Sequence, residues 1–241
     1  MSTSPVTPTV VLVHGAFADA ASWSGVVAEL QGRGVPVVAP PNPLRGLACD
    51  AAYVASVAEQ IDGPVVLVGH SYGGAVITVA GAAENVVGLV YVAAYVLAEG
   101  ESVGELQGRF PESPLGASLV QWAYPLPEGG TAVEVSVAAD AFPSVFAADV
   151  PADVTRVLAA TQRPLAVSAF TETAAAAAWR TRPSWALVAG ADRAVNPEVE
   201  RFGARRAGAT TVEIEGASHA VAVSRPAEVA ALVLDAVRAT G

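Results

Sequence analysis

The segment Gly69-His70-Ser71-Tyr72-Gly73-Gly74 constrains this chain more than any other. It joins the apolar run Val65-Val66-Leu67-Val68 to a stretch of small residues from Ala75 to Ala83. An apolar, β-branched run, a glycine-bounded turn and a small-residue stretch read as strand, sharp turn and helix. Gly69 and Gly73 remove the Cβ atoms that would clash in so tight a turn. The serine at the apex is then expected in a strained backbone conformation, with its hydroxyl exposed above the sheet. A serine presented this way is a candidate nucleophile, and a base for it must be found elsewhere in the chain.

The rest of the sequence repeats the strand-helix alternation. Thr9-Val10-Val11-Leu12-Val13-His14 reads as a buried strand ended by Gly15, and residues 22–30 as a helix closed by Gly32 and Gly34. A second strand spans residues 35–39, where Pro36 favours an edge position or the strand's first residues. Pro40-Pro41-Asn42-Pro43 forces a loop, and Asp50 is placed as the N-cap of a helix reaching Ile61. Strands follow at residues 65–68 and 86–92. Between about residues 97 and 182 no strand of this kind is expected. Prolines punctuate loops and short helices there, with helices predicted over 151–162 and 165–179. Alternation resumes with strands over 184–189 and 210–214. Helices start after Asn196-Pro197 and after Ser224-Arg225-Pro226.

This alternation predicts an α/β fold of about six mostly parallel strands with helices on both faces. The core is assigned to residues 1–96 and 183–241. Residues 97–182 form a mainly helical cap or lid inserted after the fourth strand. Ligands of such sheets bind beyond the carboxyl ends of the strands. His14, Ser71, Asp192 and His219 all fall just after strand ends and should converge on one rim, which the insertion should cover.

Three histidines compete to be the base. Side chains alternate along a strand, so His70 points away from Ser71 and packs beneath the turn. His14, in His14-Gly15-Ala16-Phe17, braces the neighbouring loop. His219 lies on the loop after the last strand, which can reach over the serine, and is the expected base. The orienting acid should follow a strand end and precede that histidine. Asp192, in Ala189-Gly190-Ala191-Asp192-Arg193, does both, with Glu99 second. Asp140, Asp149 and Asp153 are read as exposed or helix-capping.

Composition limits the alternatives. The 241 residues suffice for one sizeable core. A net charge of −10 repels nucleic acid and anionic membranes, so neither is an expected partner. No apolar run is long enough for a membrane span, and Met1-Ser2-Thr3-Ser4-Pro5 has neither a basic region nor a signal core, so a cytoplasmic location is expected. The single cysteine, Cys49, excludes an intrachain disulfide and is expected as a small buried or semi-buried filler. No metal motif is present, and no cofactor or metal is expected. Monomer and homodimer both remain open.

The segments Leu12-Val13-His14-Gly15-Ala16-Phe17, Gly69-His70-Ser71-Tyr72-Gly73-Gly74 and Ser218-His219-Ala220-Val221-Ala222-Val223-Ser224-Arg225-Pro226 resemble the α/β-hydrolase superfamily across essentially the whole chain. The resemblance is to the branch of small plant-type methylesterases, hydroxynitrile lyases and their bacterial esterase relatives. It implies a triad of Ser71, Asp192 and His219. It also implies an oxyanion hole of the Ala16 and Tyr72 backbone amides, with Phe17 as second candidate for the first amide. Lyases of that branch carry a threonine where Gly15 stands and a lysine where Ala220 stands, so hydrolysis is favoured. The antiparallel first strands of larger relatives are expected to be missing. The substrate implied is a small to medium carboxylic ester with apolar or aromatic parts. Phe17, Trp122 and Tyr124 are candidate substrate contacts. Phe110, Phe142, Phe146, Phe170 and Trp179 complete the aromatic set of the insertion, most of it for packing. Other readings are a cofactor-free lyase, a haloperoxidase- or perhydrolase-like enzyme, a dioxygenase, and a non-catalytic ligand receptor on the same shell.

Overall fold

Alternating valines and leucines decide the sheet. The computed structural model describes residues 6–241. The N-terminal residues read above as lacking a leader lie, up to Pro5, outside the described residues. Strand β1 (Thr9–Val13) is followed by helix α1 (Ser24–Gln31), β2 (Val37–Val38), α2 (Leu47–Glu59), β3 (Val65–His70), α3 (Tyr72–Ala80) and β4 (Val86–Val92). After a long excursion come β8 (Ser184–Ala189) and β9 (Thr210–Ile214), and the six strands lie in the order β2-β1-β3-β4-β8-β9 with every pairing parallel. Strands buried on both faces need apolar residues of both parities. Val11, Val13, Leu67, Leu89 and Tyr91 pack to one side with α2 and α3. Val10, Leu12, Val66, Val68, Val90 and Val92 pack to the other with Trp23 and the last helix. Each fully buried side chain of this size contributes about 1.5–3 kcal/mol. The two-residue β2, preceded by Pro36, is an outer strand, as the proline predicts.

The excursion contains α4 (Val103–Gln107), β5 (Leu119–Pro125), β6 (Thr131–Val137), α5 (Phe142–Val145), α6 (Ala152–Thr161) and β7 (Leu165–Ala166). Its three strands form a separate antiparallel sheet, β5-β6-β7, so the segment is mixed where a mainly helical one was expected. The reason is local. Val133, Val135 and Val137 alternate with Glu134 and Ser136, and Gly129 and Gly130 turn the hairpin with φ of 94° and 85°. The helix expected over 165–179 does not form. Pro164 biases the preceding residue to extended backbone, and the chain makes β7 and two short 3₁₀ turns (Val167–Phe170 and Ala178–Arg180) instead. Ala174 and Ala178 are buried packing residues there, so the alanine run serves contacts and not helix propensity.

The core then closes with β8 (Ser184–Ala189), α7 (Pro197–Arg206), β9 (Thr210–Ile214), α8 (Val221–Ser224) and α9 (Pro226–Thr240). Asn196 caps α7 through a bond from the Glu198 amide, with Pro197 in its first turn. Asp50 is not an N-cap. Helix α2 starts a turn earlier after Gly46, and Asp50 sits fully buried in its first turn, accepting from the Arg45 amide (3.0 Å) and the Tyr72 hydroxyl (2.8 Å). Cys49, on the same turn, is exposed, contrary to the filler expected. No helix among the described residues is long and apolar enough to cross a membrane.

Candidate active site

The turn between β3 and α3 carries its strain at the serine. Ser71 has φ 55° and ψ −122°, a backbone conformation that a residue with a side chain avoids unless its surroundings impose it. They do so here. The Ser71 amide donates to Val92 O (3.1 Å), and Ser71 O accepts from Gly74 N (3.0 Å) and Tyr95 N (3.2 Å). A Cβ on Gly69 would lie 2.4 Å from Gly73 O, so the turn cannot close around a larger residue. Gly15 is equally constrained, because a Cβ there would come within 2.7 Å of Ser71 Cβ. The threonine of the lyase pattern has no room at that position without a shift of the Ser71 turn.

Strand ends supply the other groups. After β8, Asp192 Oδ1 accepts from the Ala194 (2.7 Å) and Val195 (2.9 Å) amides, while Oδ2 accepts from His219 Nδ1 at 2.5 Å. Both side chains are essentially inaccessible to solvent. The carboxylate therefore fixes the tautomer with the proton on Nδ1, leaving Nε2 as an acceptor. The ring is held edge-on to Phe146 (4.7 Å between centroids) and beside His70 (4.6 Å). His70 Nε2 donates to His219 O (2.8 Å), and Phe146 O accepts from Ala220 N (2.9 Å). Burial, and then the neighbouring His219, hold His70 well below the usual histidine range, so it is neutral. His14 is neutral too, lowered chiefly by burial. Its Nδ1 donates to Gly15 O and its Nε2 accepts from Asn42 N, both at 2.9 Å, which ties β1 to the following loop.

Ser71 and His219 border one cavity with Ala16, Phe17, Tyr72, Tyr95 and Phe146. Its volume is about 20 Å³, little more than one water. No hydrogen bond joins Ser71 Oγ to His219 among the described residues; such bonds are commonly long without substrate and tighten when it binds. The Ala16 and Tyr72 amides find no partner among the described residues, whereas the Phe17 amide donates to Arg163 O (3.0 Å) and is already committed. Phe17 itself has φ 61°, so a second strained residue flanks the cavity.

The remaining sequence candidates lie elsewhere. Trp122 is 56% exposed on the outer strand β5, in an open groove with Val120, Ala123 and Gln162. Tyr124 lies under the Arg45 guanidinium, 4.5 Å from the ring centroid. Neither borders the Ser71 cavity. Phe146 and Phe170 of the excursion do. Glu99 is exposed and faces Arg180, so it is no rival to Asp192. Asp149 is not a free surface group. It accepts a hydrogen bond from Ser218 Oγ, next to His219. Sequence reasoning missed that contact and also Glu200, buried beside Asp192 on α7. The available signal was spacing, since Glu200 shares a helix face with Gly203 and Ala204. No cluster of three metal-ligating side chains occurs among the described residues.

Residues 10–232 match the family model described as alpha/beta hydrolase family. The chain belongs to that family. No curated protein matches this alpha/beta hydrolase in sequence. Among solved structures it is similar to polyneuridine aldehyde esterase, with a TM-score of 0.81 and 20% identity over 95% of this chain and 99% of that one. It is also similar to a pyrethroid hydrolase from Sphingobium faniae JZ-2 (TM-score 0.76, 22% identity, 97% and 98% covered) and to a methylesterase from Arabidopsis (TM-score 0.76, 17% identity, 96% and 99% covered). At these identities the hydrolase shares a fold with them, over nearly its whole length.

Proposed function

We propose that this alpha/beta hydrolase is a serine carboxylesterase for small to medium esters with apolar parts. The observation that carries the reading is one cavity bordered by a strained serine, a histidine already oriented by a buried carboxylate, and two backbone amides with no other partner. The esterase and hydrolase names of its structural neighbours agree with it.

In this mechanism Ser71 Oγ attacks the ester carbonyl carbon as its proton passes to His219 Nε2. Asp192 stabilises the imidazolium that forms. The carbonyl oxygen, now negative, accepts hydrogen bonds from the Ala16 and Tyr72 amides, each worth about 3 kcal/mol in the transition state. Collapse expels the alkoxide, which leaves as the alcohol with the proton from His219, and an acyl ester on Ser71 remains. Water then gives its proton to His219 and attacks the acyl carbon. The carboxylic acid departs and Ser71 recovers its proton. Residues 97–182 serve as a cap in this reading, contributing Phe146, Phe170 and Leu165 to the cavity wall. Cyanohydrin cleavage of the lyase kind would need a cation beside the departing cyanide. No lysine occurs anywhere in the chain, and no arginine borders the cavity.

Replacing Ser71 with alanine is expected to lower kcat for p-nitrophenyl acetate by about 10⁶-fold. An organophosphate should add one phosphoryl group to the wild-type protein and none to the variant, read by mass spectrometry. Esterase turnover surviving in Ser71→Ala would overturn the assignment.

A further inference from the structure

Helix α7 carries a second buried carboxyl group behind Asp192. Glu200 is 3% exposed, and its Oε2 accepts from the Ala189 amide at the end of β8 (2.9 Å). Ala189 O in turn accepts from Asp192 N (3.1 Å), so the two acids are anchored to the same residue. The other Glu200 oxygen, Oε1, is buried with no hydrogen-bond partner, and the Asp192 carboxyl is the neighbouring charge that bears most on it. The remaining titratable groups near the pair are the Tyr95 hydroxyl and, on the helix itself, Arg201. The Arg201 guanidinium is turned outward to Glu198 and Glu213. Among the described residues no cation on the Glu200 side neutralises the two acids, and His219 is engaged on the far side of Asp192. Two anions buried against each other are costly, and one shared proton removes both the repulsion and the unpartnered oxygen.

We propose that Glu200 is a positioning residue that, as a neutral carboxylic acid, donates a hydrogen bond to the Asp192 carboxylate and so holds the Asp192–His219 pair. This rests on the esterase reading for its kinetic consequence but not for the proton itself. Burial, and then the Asp192 charge, push Glu200 well above the usual carboxylate range, against the opposing pull of the Ala189 amide. The donated bond draws charge from Asp192 and restrains its hold on the His219 proton.

Glu200→Gln, Glu200→Leu and the wild type test the proposal. Glutamine can donate to Asp192 and accept from the Ala189 amide without titrating; leucine can do neither. Glu200→Leu should lose about tenfold or more in kcat for p-nitrophenyl acetate with little change in KM, and the acid limb of its kcat/KM profile should move to higher pH. Glu200→Gln should recover most of that loss and return the limb. A second readout needs no activity. A carboxyl protonated in the fold and ionised in the unfolded chain contributes stability at low pH that fades as pH rises from the ordinary carboxylate range towards the raised folded value. The Tm of Glu200→Gln minus that of the wild type should therefore grow as pH rises above the ordinary carboxylate range. A flat Tm difference overturns the proposal, as does wild-type kinetics in Glu200→Leu or a Glu200→Gln as impaired as Glu200→Leu. If Glu200→Leu does not fold, the glutamine comparison decides alone. If the wild type shows no Ser71-dependent turnover, the esterase reading fails while the Tm series still decides the proton on Glu200.

Discussion

At the scale of single residues, Phe146 does the most that its sequence position does not announce. Its ring touches those of Phe17, Phe142, His70 and His219. It also separates the Ser71 cavity from a second apolar cavity of about 20 Å³ lined by Ala18, His70, Leu158 and Val223. Phe146→Ala is expected to join the two. Its kcat/KM for p-nitrophenyl hexanoate relative to acetate should rise roughly tenfold, at a stability loss of about 3–5 kcal/mol. Kinetics across an acyl series and denaturant unfolding check both. The strained turn at Ser71 and the Asp192–His219 contact were legible in the sequence because each of these residues follows a strand end, where chain order and strand polarity limit which groups can meet. Phe146 was one aromatic among several, and nothing in residues 97–182 distinguishes the ring that faces the histidine from Trp122, which faces solvent. Glu200 was hidden differently. A lone acid in the first turns of a helix is most often there for the helix dipole.

At the scale of elements, α2 and α3 are joined by one buried polar contact. The Tyr72 hydroxyl donates to Asp50, while Glu172 from the excursion accepts from Ala48 N (3.0 Å) at the start of α2. Burial raises the Tyr72 hydroxyl far out of its ordinary range, with the Asp50 charge next, so it stays a donor. Asp50→Ala strips the partner from that hydroxyl and from the Arg45 amide. A loss of about 2–3 kcal/mol is expected, seen as a lower denaturation midpoint. The core elements could be read ahead of the structure because doubly buried parallel strands are continuous apolar runs. The β5-β6 hairpin could not, because prolines at 111, 114, 125 and 127 suggested loops. Its strands are half exposed and the period-2 signal lies mainly in β6. The start of α2 was misread because an aspartate that serves another element looks, in sequence, like a cap.

Across the whole molecule, few ionic contacts bind residues 97–182 to the rest. Glu101 is the principal one: almost fully buried, it pairs with Arg206 at the end of α7 and with Arg109 (2.7 Å). Burial pushes its carboxyl up, but the two guanidiniums and the Ala98 amide outweigh burial and leave it below the usual range. A carboxyl with a lowered folded value adds stability above its unfolded value, and that stability is lost as pH falls through the folded one. Arg206→Ala should cost about 3 kcal/mol near neutrality, the low end for a broken buried pair because Arg109 stays. The gap from the wild type should narrow as pH falls through the lowered folded value of Glu101, as thermal melts across pH can show. The space beside Ser71 has a larger consequence. It admits about one water, and no ester is that small. In the esterase reaction proposed above, Ser71 Oγ lies shut in between turnovers, so each one has to begin with the aromatic wall giving way. Discrimination among guests is then exercised by the work of parting those rings, before any bond to the serine is made.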